Sequence, residues 1–133
     1  MIVADASAIV EVLLGLPRAD AVRAALAPHP ELHVPEHFHV EALSALRRYS
    51  IRGELSDLRA AQALMALGEL RAIRYPAIEL AAAIWGLRAG LTAYDAAYLA
   101  LARELGTDLV TLDGGLTKAA ARDGRLAVVE APS

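Results

Sequence analysis

Four acidic residues spread along the chain have the types and local settings of a metal-binding carboxylate cluster. Asp5 and Asp113 each end a short run typical of a strand, Asp95 lies near a predicted helix start, and Glu41 lies in the first turns of another predicted helix. In parallel sheets, ligands bind beyond the carboxyl ends of the strands. Mg²⁺ and Mn²⁺ prefer oxygen ligands, and two such ions can activate water and clamp a phosphodiester. The four acids therefore predict phosphodiester hydrolysis.

Each of these acids also has a purely structural explanation. Asp5 could cap a helix, and Asp113, which precedes two glycines, could be a turn residue. Asp95 follows Thr92 by three residues, which is the spacing of a capping box. Glu41 alone fits a solvated helix surface. The hypothesis of a metal site therefore depends on the four acids as a set.

A second group of possible ligands consists of four histidines close together in the chain, at His29, His33, His37 and His39. A transition-metal site is disfavoured, because their spacing crosses a proline-broken loop, a strand and a helix start, and the chain has no cysteine. His37 and His39 do precede Glu41, which leaves room for one of them at the mouth of the carboxylate site.

The overall charge gives weak evidence about the substrate. The 133-residue chain has a net charge of −3, which at first sight disfavours a nucleic-acid partner. Four of the negative charges belong to the candidate metal cluster, however, and bound cations would reverse the local sign. Several basic residues could contact phosphates, although a solvated surface explains most of them equally well: Arg47, Arg48, Arg52, Arg71, Arg74, Lys118, Arg122 and Arg125.

The elements that must position these residues alternate between strand and helix. Strands are expected over about 2–5, 32–34, 70–75, 108–112 and 126–129, and helices over about 8–16, 18–27, 37–52, 57–67, 76–88 and 93–105. This order predicts one domain with a parallel sheet and helices on both faces, because parallel neighbours need crossover connections. No apolar run approaches the length of a membrane span, so a soluble cytoplasmic protein is expected.

Two helices carry apolar residues whose placement matters for packing. On the helix with Glu41, the expected buried stripe is Val40, Leu43 and Leu46. The helix over 57–67 is apolar over a broad surface, which suggests a protein partner.

Four segments in this order resemble the PIN-domain ribonucleases, and specifically the VapC-type toxins of bacterial and archaeal toxin–antitoxin pairs. The segments are Ile2-Val3-Ala4-Asp5-Ala6-Ser7, Val34-Pro35-Glu36 leading to Val40-Glu41-Ala42 with Leu46-Arg47, the run from Leu91 to Ala100, and Leu109-Val110-Thr111-Leu112-Asp113. The resemblance covers the whole chain. It implies a three-layer α/β/α sandwich with a central, mostly parallel sheet, formed by a single PIN-like domain over residues 1–133.

The resemblance also implies an activity, that of a Mg²⁺- or Mn²⁺-dependent endoribonuclease and toxin. Asp5, Glu41, Asp95 and Asp113 match the family's acidic quartet, with Asp5 and Asp95 as direct metal ligands and the other two bound directly or through water. Thr111 matches a hydroxyl position beside the quartet, and Ser7 matches it more loosely.

Partners follow from the same resemblance. Similar toxins form homodimers, cleave RNA and are silenced by an antitoxin chain, for which the candidate surfaces here are the helices over 19–27 and 57–67. One departure from the family pattern is Gly114-Gly115-Leu116, where relatives often carry charged and aromatic residues.

Two other functions remain open at this stage. Asp5 could be the nucleophile of a phosphatase, although such enzymes usually place a second acid two residues later, where this chain has Ser7. The chain could also be a non-catalytic, RNA-binding or partner-binding PIN-like module. The presence of all four acids argues against that reading.

Overall fold

A four-stranded parallel sheet forms the centre of the protein. The computed structural model describes residues 1–129. Its strands are β1 (Ile2–Ala4), β2 (Leu32–Pro35), β3 (Ala72–Tyr75) and β4 (Leu109–Val110), arranged in the order β3-β2-β1-β4. In the register, Ile2 lies opposite Leu32 and Val3 lies opposite Leu109. β1 is thus an inner strand, and Asp5 follows it directly.

Helices connect the strands and pack in two groups. They are α1 (Ala6–Leu13), α2 (Ala19–Leu26), α3 (Phe38–Ile51), α4 (Asp57–Glu69), α5 (Ala81–Gly86), α6 (Ala93–Leu105) and α7 (Gly114–Arg122). α1 packs against α2, α3 and α4, whereas α6 packs against α5, α7 and three of the strands. The α/β/α arrangement expected from the sequence is confirmed.

The core is built on β1 and α6. Every residue of β1 is buried, as are the seven consecutive residues from Ala96 to Ala102 of α6. A helix that is apolar on all sides is stable only when it is covered on all sides. α6 therefore serves as the rigid support for the acid at its N-terminal end, Asp95.

Two expected elements differ in the structure. The helix expected over 76–88 is a 3₁₀ turn, Ala77–Leu80, followed by the short α5, and Pro76 precedes the turn as its cap. The strand expected over 126–129 is reduced to one isolated bridge between Leu109 and Leu126. Residues 130–133 lie outside the described part of the chain.

The buried face of α3 also differs from the expectation. Val40 is 65% exposed and Leu43 is 44% exposed, while Leu46 is buried as expected. Phe38 and Ala42 are completely buried instead. The helix is therefore rotated so that Val40 faces solvent next to Glu41.

The sequence pattern did not predict α7. Its first two residues are glycines, which disfavour helix by about 1 kcal/mol each relative to alanine. The helix forms because Asp113 caps it and because Leu116 and Ala120, one turn apart, are both fully buried. No helix in the described chain is long and apolar enough to cross a membrane.

Candidate active site

Asp5 lies at the centre of a hydrogen-bond network at the end of β1. Its Oδ1 accepts hydrogen bonds from the Ser7 hydroxyl (2.7 Å) and the Ala8 amide (3.1 Å), so Asp5 is the N-cap of α1. Its Oδ2 accepts a hydrogen bond from the Thr111 hydroxyl at 2.7 Å. The side chain is held in one orientation at both oxygens. Both hydroxyl positions suggested by the resemblance therefore contact Asp5.

The environment of Asp5 disfavours its ionised form. Burial is the largest cause and raises the pKa from 3.8 to about 6, and the nearby charge of Asp113 acts in the same direction. The hydrogen bonds from Thr111, Ser7 and Ala8 lower the pKa and offset part of this effect. Asp5 is thus a buried carboxyl group whose negative charge is only partly compensated by the protein.

Two hydroxyl groups also tie β4 to the start of α1. The Thr111 oxygen accepts a hydrogen bond from the Asp113 amide (3.1 Å), and the Ser7 oxygen accepts one from the Leu112 amide (3.1 Å). Each hydroxyl therefore donates to Asp5 and accepts from the backbone that follows β4. These contacts fix the spacing between the ends of the two neighbouring strands.

Asp95 and Asp113 both lie at helix starts. Asp113 is exposed and caps α7, with its Oδ2 accepting a hydrogen bond from the Leu116 amide at 2.9 Å. The Thr92 hydroxyl caps α6 by accepting a hydrogen bond from the Asp95 amide at 3.2 Å. Burial raises the pKa of Asp95, and the charges of Asp113 and Glu41 raise it further, against lowering effects of His37 and Thr92.

Glu41 is oriented by an aromatic residue from α6. Its Oε1 accepts a hydrogen bond of 2.6 Å from the hydroxyl of Tyr98, whose side chain is almost completely buried. The Nε2 atom of His37 lies 3.4 Å from the same oxygen and 3.0 Å from the backbone oxygen of Tyr94. One oxygen of Glu41 is thus engaged by the protein.

The four acids line a single cavity of about 500 Å³. Ser7, Ser44, Arg48, Tyr94 and Tyr98 contribute to the same walls. The structural and functional explanations of the acids are therefore compatible, because Asp5 and Asp113 both cap helices and face the cavity. Chain segments separated by more than a hundred residues meet there, as the bond from Thr111 to Asp5 shows.

Comparison with known sequences decides the family. Residues 2–122 match the PIN domain. This chain belongs to the PIN-domain family. VapC ribonuclease Mb0985 of Mycobacterium bovis is 42% identical to it over 113 residues, which cover 85% of this chain and 86% of the relative. Ribonuclease VapC12 of Mycobacterium tuberculosis is 35% identical over 129 residues, covering 97% of this chain and 99% of the relative.

Solved structures show the same PIN fold. The crystal structure of Mycobacterium tuberculosis VapC20, a toxin that cleaves the sarcin–ricin loop, is 17% identical with a TM-score of 0.69, covering 98% of this chain and 100% of the other. PAE2754 from Pyrobaculum aerophilum is 25% identical with a TM-score of 0.63, covering 88% of this chain and 82% of the other.

The donor set of this PIN domain suits a hard divalent cation. All four acids offer carboxylate oxygens, which Mg²⁺ and Mn²⁺ prefer, and their mutual repulsion contributes to the raised pKa values of Asp5 and Asp95. A cation between them would relieve that repulsion. Within residues 1–129, no group of three or more His, Cys, Asp or Glu side chains is close enough together, as placed, to hold a metal ion.

Sequence reasoning missed two aromatic contributors to the PIN-domain site and left one basic residue undecided. Tyr98 follows Asp95 by three residues, so the two share a face of α6, but no role was assigned to it. Tyr94 lines the cavity without having been considered. Arg48 was one of many candidate phosphate contacts, and it is the basic residue that lines this cavity.

The histidines do not form a common site. His37 lies at the edge of the carboxylate cavity through its contact with Glu41. His33 is buried and pairs instead with the Tyr75 hydroxyl at 2.7 Å. The ring of His39 packs against Phe38, and burial together with the charge of Arg74 lowers its pKa.

Proposed function

We propose that this PIN domain is a metal-dependent endoribonuclease that hydrolyses RNA phosphodiesters and acts as the toxin of a type II toxin–antitoxin pair. The observation that carries the proposal is the meeting of four carboxylates, from four separate elements of a PIN fold, around one cavity. Relatives that align with most of the chain bear the name VapC ribonuclease. We propose a single domain over residues 1–133, working in the cytoplasm.

Asp5, Glu41, Asp95 and Asp113 are the residues that would hold Mg²⁺ or Mn²⁺. A divalent cation bound there would neutralise charge on the scissile phosphate and lower the pKa of the attacking water. Thr111 and Ser7 keep both oxygens of Asp5 in place. This preorganisation reduces the rearrangement needed when substrate binds.

Two further side chains act on the geometry of the site. Tyr98 fixes the rotamer of Glu41, because its hydroxyl occupies one carboxylate oxygen and leaves the other available to the cavity. Arg48 lines the cavity and forms no ion pair within the described residues. Its guanidinium is therefore available to a phosphate oxygen.

The structure disfavours a phosphatase in which Asp5 is the nucleophile. Both oxygens of Asp5 accept hydrogen bonds, and only 5% of the residue is exposed. A nucleophile must present an oxygen to the substrate, whereas these contacts are suited to a fixed ligand.

The structure also gives a reason to prefer an enzyme over a silent binding module. Ionised carboxylates that repel one another in a partly buried cavity reduce the stability of the fold. A protein that bound RNA only through basic residues would have no use for acids that lower its stability.

The partner surface proposed for the antitoxin is α4. Leu58, Leu64 and Met65 of this helix are 70%, 49% and 68% exposed, an apolar surface next to α3. α2, the other candidate, exposes no large hydrophobic side chain in the described chain. We also propose a homodimer, for which Ile78 and Trp85, 81% and 68% exposed, are the candidate contacts.

Cleavage of total RNA by the purified, partner-free protein tests the activity. We expect discrete cuts with Mg²⁺ or Mn²⁺, no cuts with EDTA, and loss of cutting in Asp95→Asn. The matched control is Asp57→Asn, which removes an exposed acid from the first turn of α4 and should leave cutting unchanged. Cutting that persists in EDTA or in Asp95→Asn would refute the metal-dependent mechanism.

The proposed homodimer has its own measurement. Light scattering should give twice the mass of the chain for the wild type and the mass of one chain for Trp85→Glu, since a charge in an apolar contact is strongly unfavourable. A wild type that is monomeric at all concentrations would contradict the homodimer.

A further inference from the structure

A second cleft, distinct from the carboxylate cavity, is lined by two basic residues and by no acidic residue of the described range 1–129. It has a volume of about 420 Å³ and lies between α7 and the segment that joins α5 to α6. Among residues 1–129, Lys118 and Arg122 are the only charged residues that line it. The opposite wall includes Gly86 and Gly90, whose missing side chains leave the backbone open. Local charge is thus opposite to the net charge of −3 of the whole chain.

The cleft lined by Lys118 and Arg122, called the basic cleft below, has two walls, and each is formed by a segment close to an acid of the candidate active site. Gly115, which lines the cleft, is two residues after Asp113, and a Cβ atom on Gly115 would lie 3.6 Å from Oδ2 of Asp113. Leu91, on the other wall, immediately precedes Thr92, which caps the helix that carries Asp95. The cleft therefore adjoins the carboxylate cavity on the side of Asp95 and Asp113.

The two cations of the cleft have no internal partner in residues 1–129. Neither Lys118 nor Arg122 takes part in a side-chain hydrogen bond or an ion pair within that range. The nearby Arg103, in contrast, pairs with Asp123. Two unpaired cations that face one cleft beside a hydrolytic site are suited to an external anion, and an RNA backbone presents phosphates in series.

We propose that the cleft lined by Lys118 and Arg122 holds the sugar–phosphate backbone of the RNA on one side of the bond to be cut. This inference rests on the proposed function and extends it to the path of the substrate. The contacts are to phosphates, so they add affinity without selecting a base. The glycines of the opposite wall allow the backbone of the nucleic acid to approach closely.

The direct test places a negative charge in the cleft without removing any existing side chain. The φ angle of Gly90 is not in the left-handed region and its added Cβ would meet nothing within 4 Å, so the backbone accepts a side chain there. Gly90→Asp adds a carboxylate that repels phosphate. Gly90→Asn is the matched control, because it has nearly the same shape and no charge. We expect KM for RNA to rise about tenfold in Gly90→Asp relative to Gly90→Asn, with kcat nearly equal.

A second test removes the cations and measures binding alone. Fluorescence anisotropy with a labelled single-stranded RNA in EDTA gives the dependence of affinity on salt. Lys118→Ala/Arg122→Ala should reduce the slope of log affinity against log salt by roughly 1.4, because each contact to single-stranded nucleic acid contributes about 0.7. Arg23→Ala/Arg59→Ala, which removes two exposed arginines that line neither the carboxylate cavity nor the basic cleft, should leave the slope unchanged.

The two experiments separate this inference from the proposed function. If the wild type cuts no RNA, the proposed function fails, and the binding slope still decides whether the cleft holds an RNA backbone. If the wild type cuts RNA but the slope of the Lys118→Ala/Arg122→Ala variant equals that of the wild type, the inference is overturned while the function stands. An equal KM for Gly90→Asp and Gly90→Asn also overturns it.

Discussion

The buried carboxyl group of Asp5 makes the stability of the metal-free protein depend on pH in a specific direction. Its pKa is about 6 in the folded protein against 3.8 as the ordinary value. The folded state therefore binds the proton more tightly than the unfolded state, so the stability associated with Asp5 is present at low pH and is lost as pH rises through this interval. Replacing Asp5 by Asn removes the titrating group and retains a side chain that caps helices well.

The size of the effect follows from the same values. A pKa rise from 3.8 to about 6 corresponds to about 3 kcal/mol of unfolding free energy across the full titration. When the pH is raised from about 4.5 to about 7.5, the unfolding free energy should change by roughly 2 kcal/mol of this total. Costs of the substitution that do not depend on pH, such as a changed hydrogen bond to Thr111, cancel when the two pH values are compared.

The assay is urea unfolding of wild type and Asp5→Asn in EDTA, followed by circular dichroism at both pH values. Relative to the variant, the wild type should lose about 2 kcal/mol of unfolding free energy when the pH is raised. The comparison with the variant isolates Asp5 from other titrating groups such as His39, whose lowered pKa acts with the opposite sign. Unfolding free energies that change equally with pH in both proteins would refute the account of Asp5 as a buried, poorly compensated carboxyl group.

Three further predictions concern other features of the structure. Tyr98→Phe keeps the buried ring but removes the 2.6 Å hydrogen bond to Glu41. We expect the free energy of unfolding in urea to fall by about 1.5–3 kcal/mol and RNA cleavage to decrease. Unchanged cleavage would contradict the orienting role of Tyr98. Leu101→Ala, at a completely buried position, should lower the unfolding free energy by about 2–5 kcal/mol, against less than about 0.5 kcal/mol for the exposed Leu58→Ala. Gly106→Ala should lower the unfolding free energy by about 1 kcal/mol in the same assay, because Gly106 ends α6 with a φ of 63°. A variant as stable as the wild type, or more stable, would show that alanine is not strained in this left-handed position.

The positions of Asp5 and Asp95 were predictable because each follows a local rule. A strand that ends in Asp and runs into a helix places that acid at the carboxyl edge of a parallel sheet, and this holds for Asp5. Thr92 is an N-cap by residue type, so Asp95 had to lie in the first turn of α6. The strand–helix alternation likewise determined the parallel sheet, since hairpins cannot connect parallel strands.

Features that depend on tertiary contacts were not predictable in the same way. α7 starts with two glycines and forms because Leu116 is completely buried beneath the helix. No local sequence pattern indicates that burial. The bond between Tyr98 and Glu41 joins residues 57 positions apart, so the sequence shows an apolar-looking aromatic residue and not its hydroxyl partner. On α3, Val40 and Phe38 both fit an apolar stripe, and only packing against α1 decides between them.

The placement of β1 inside the sheet has a consequence for folding. Asp5 lies near the start of the chain, but its partner Thr111 and the neighbouring Asp113 arrive only when β4, the strand latest in the sequence, docks beside β1. Pairing of strands so distant in sequence is slow, because a long loop must close before any contact repays its entropy. A partly folded chain in which only β1, β2 and β3 have paired contains half of the carboxylate cavity. Catalytic competence would then appear late and abruptly during folding, and incompletely folded molecules would be harmless to RNA.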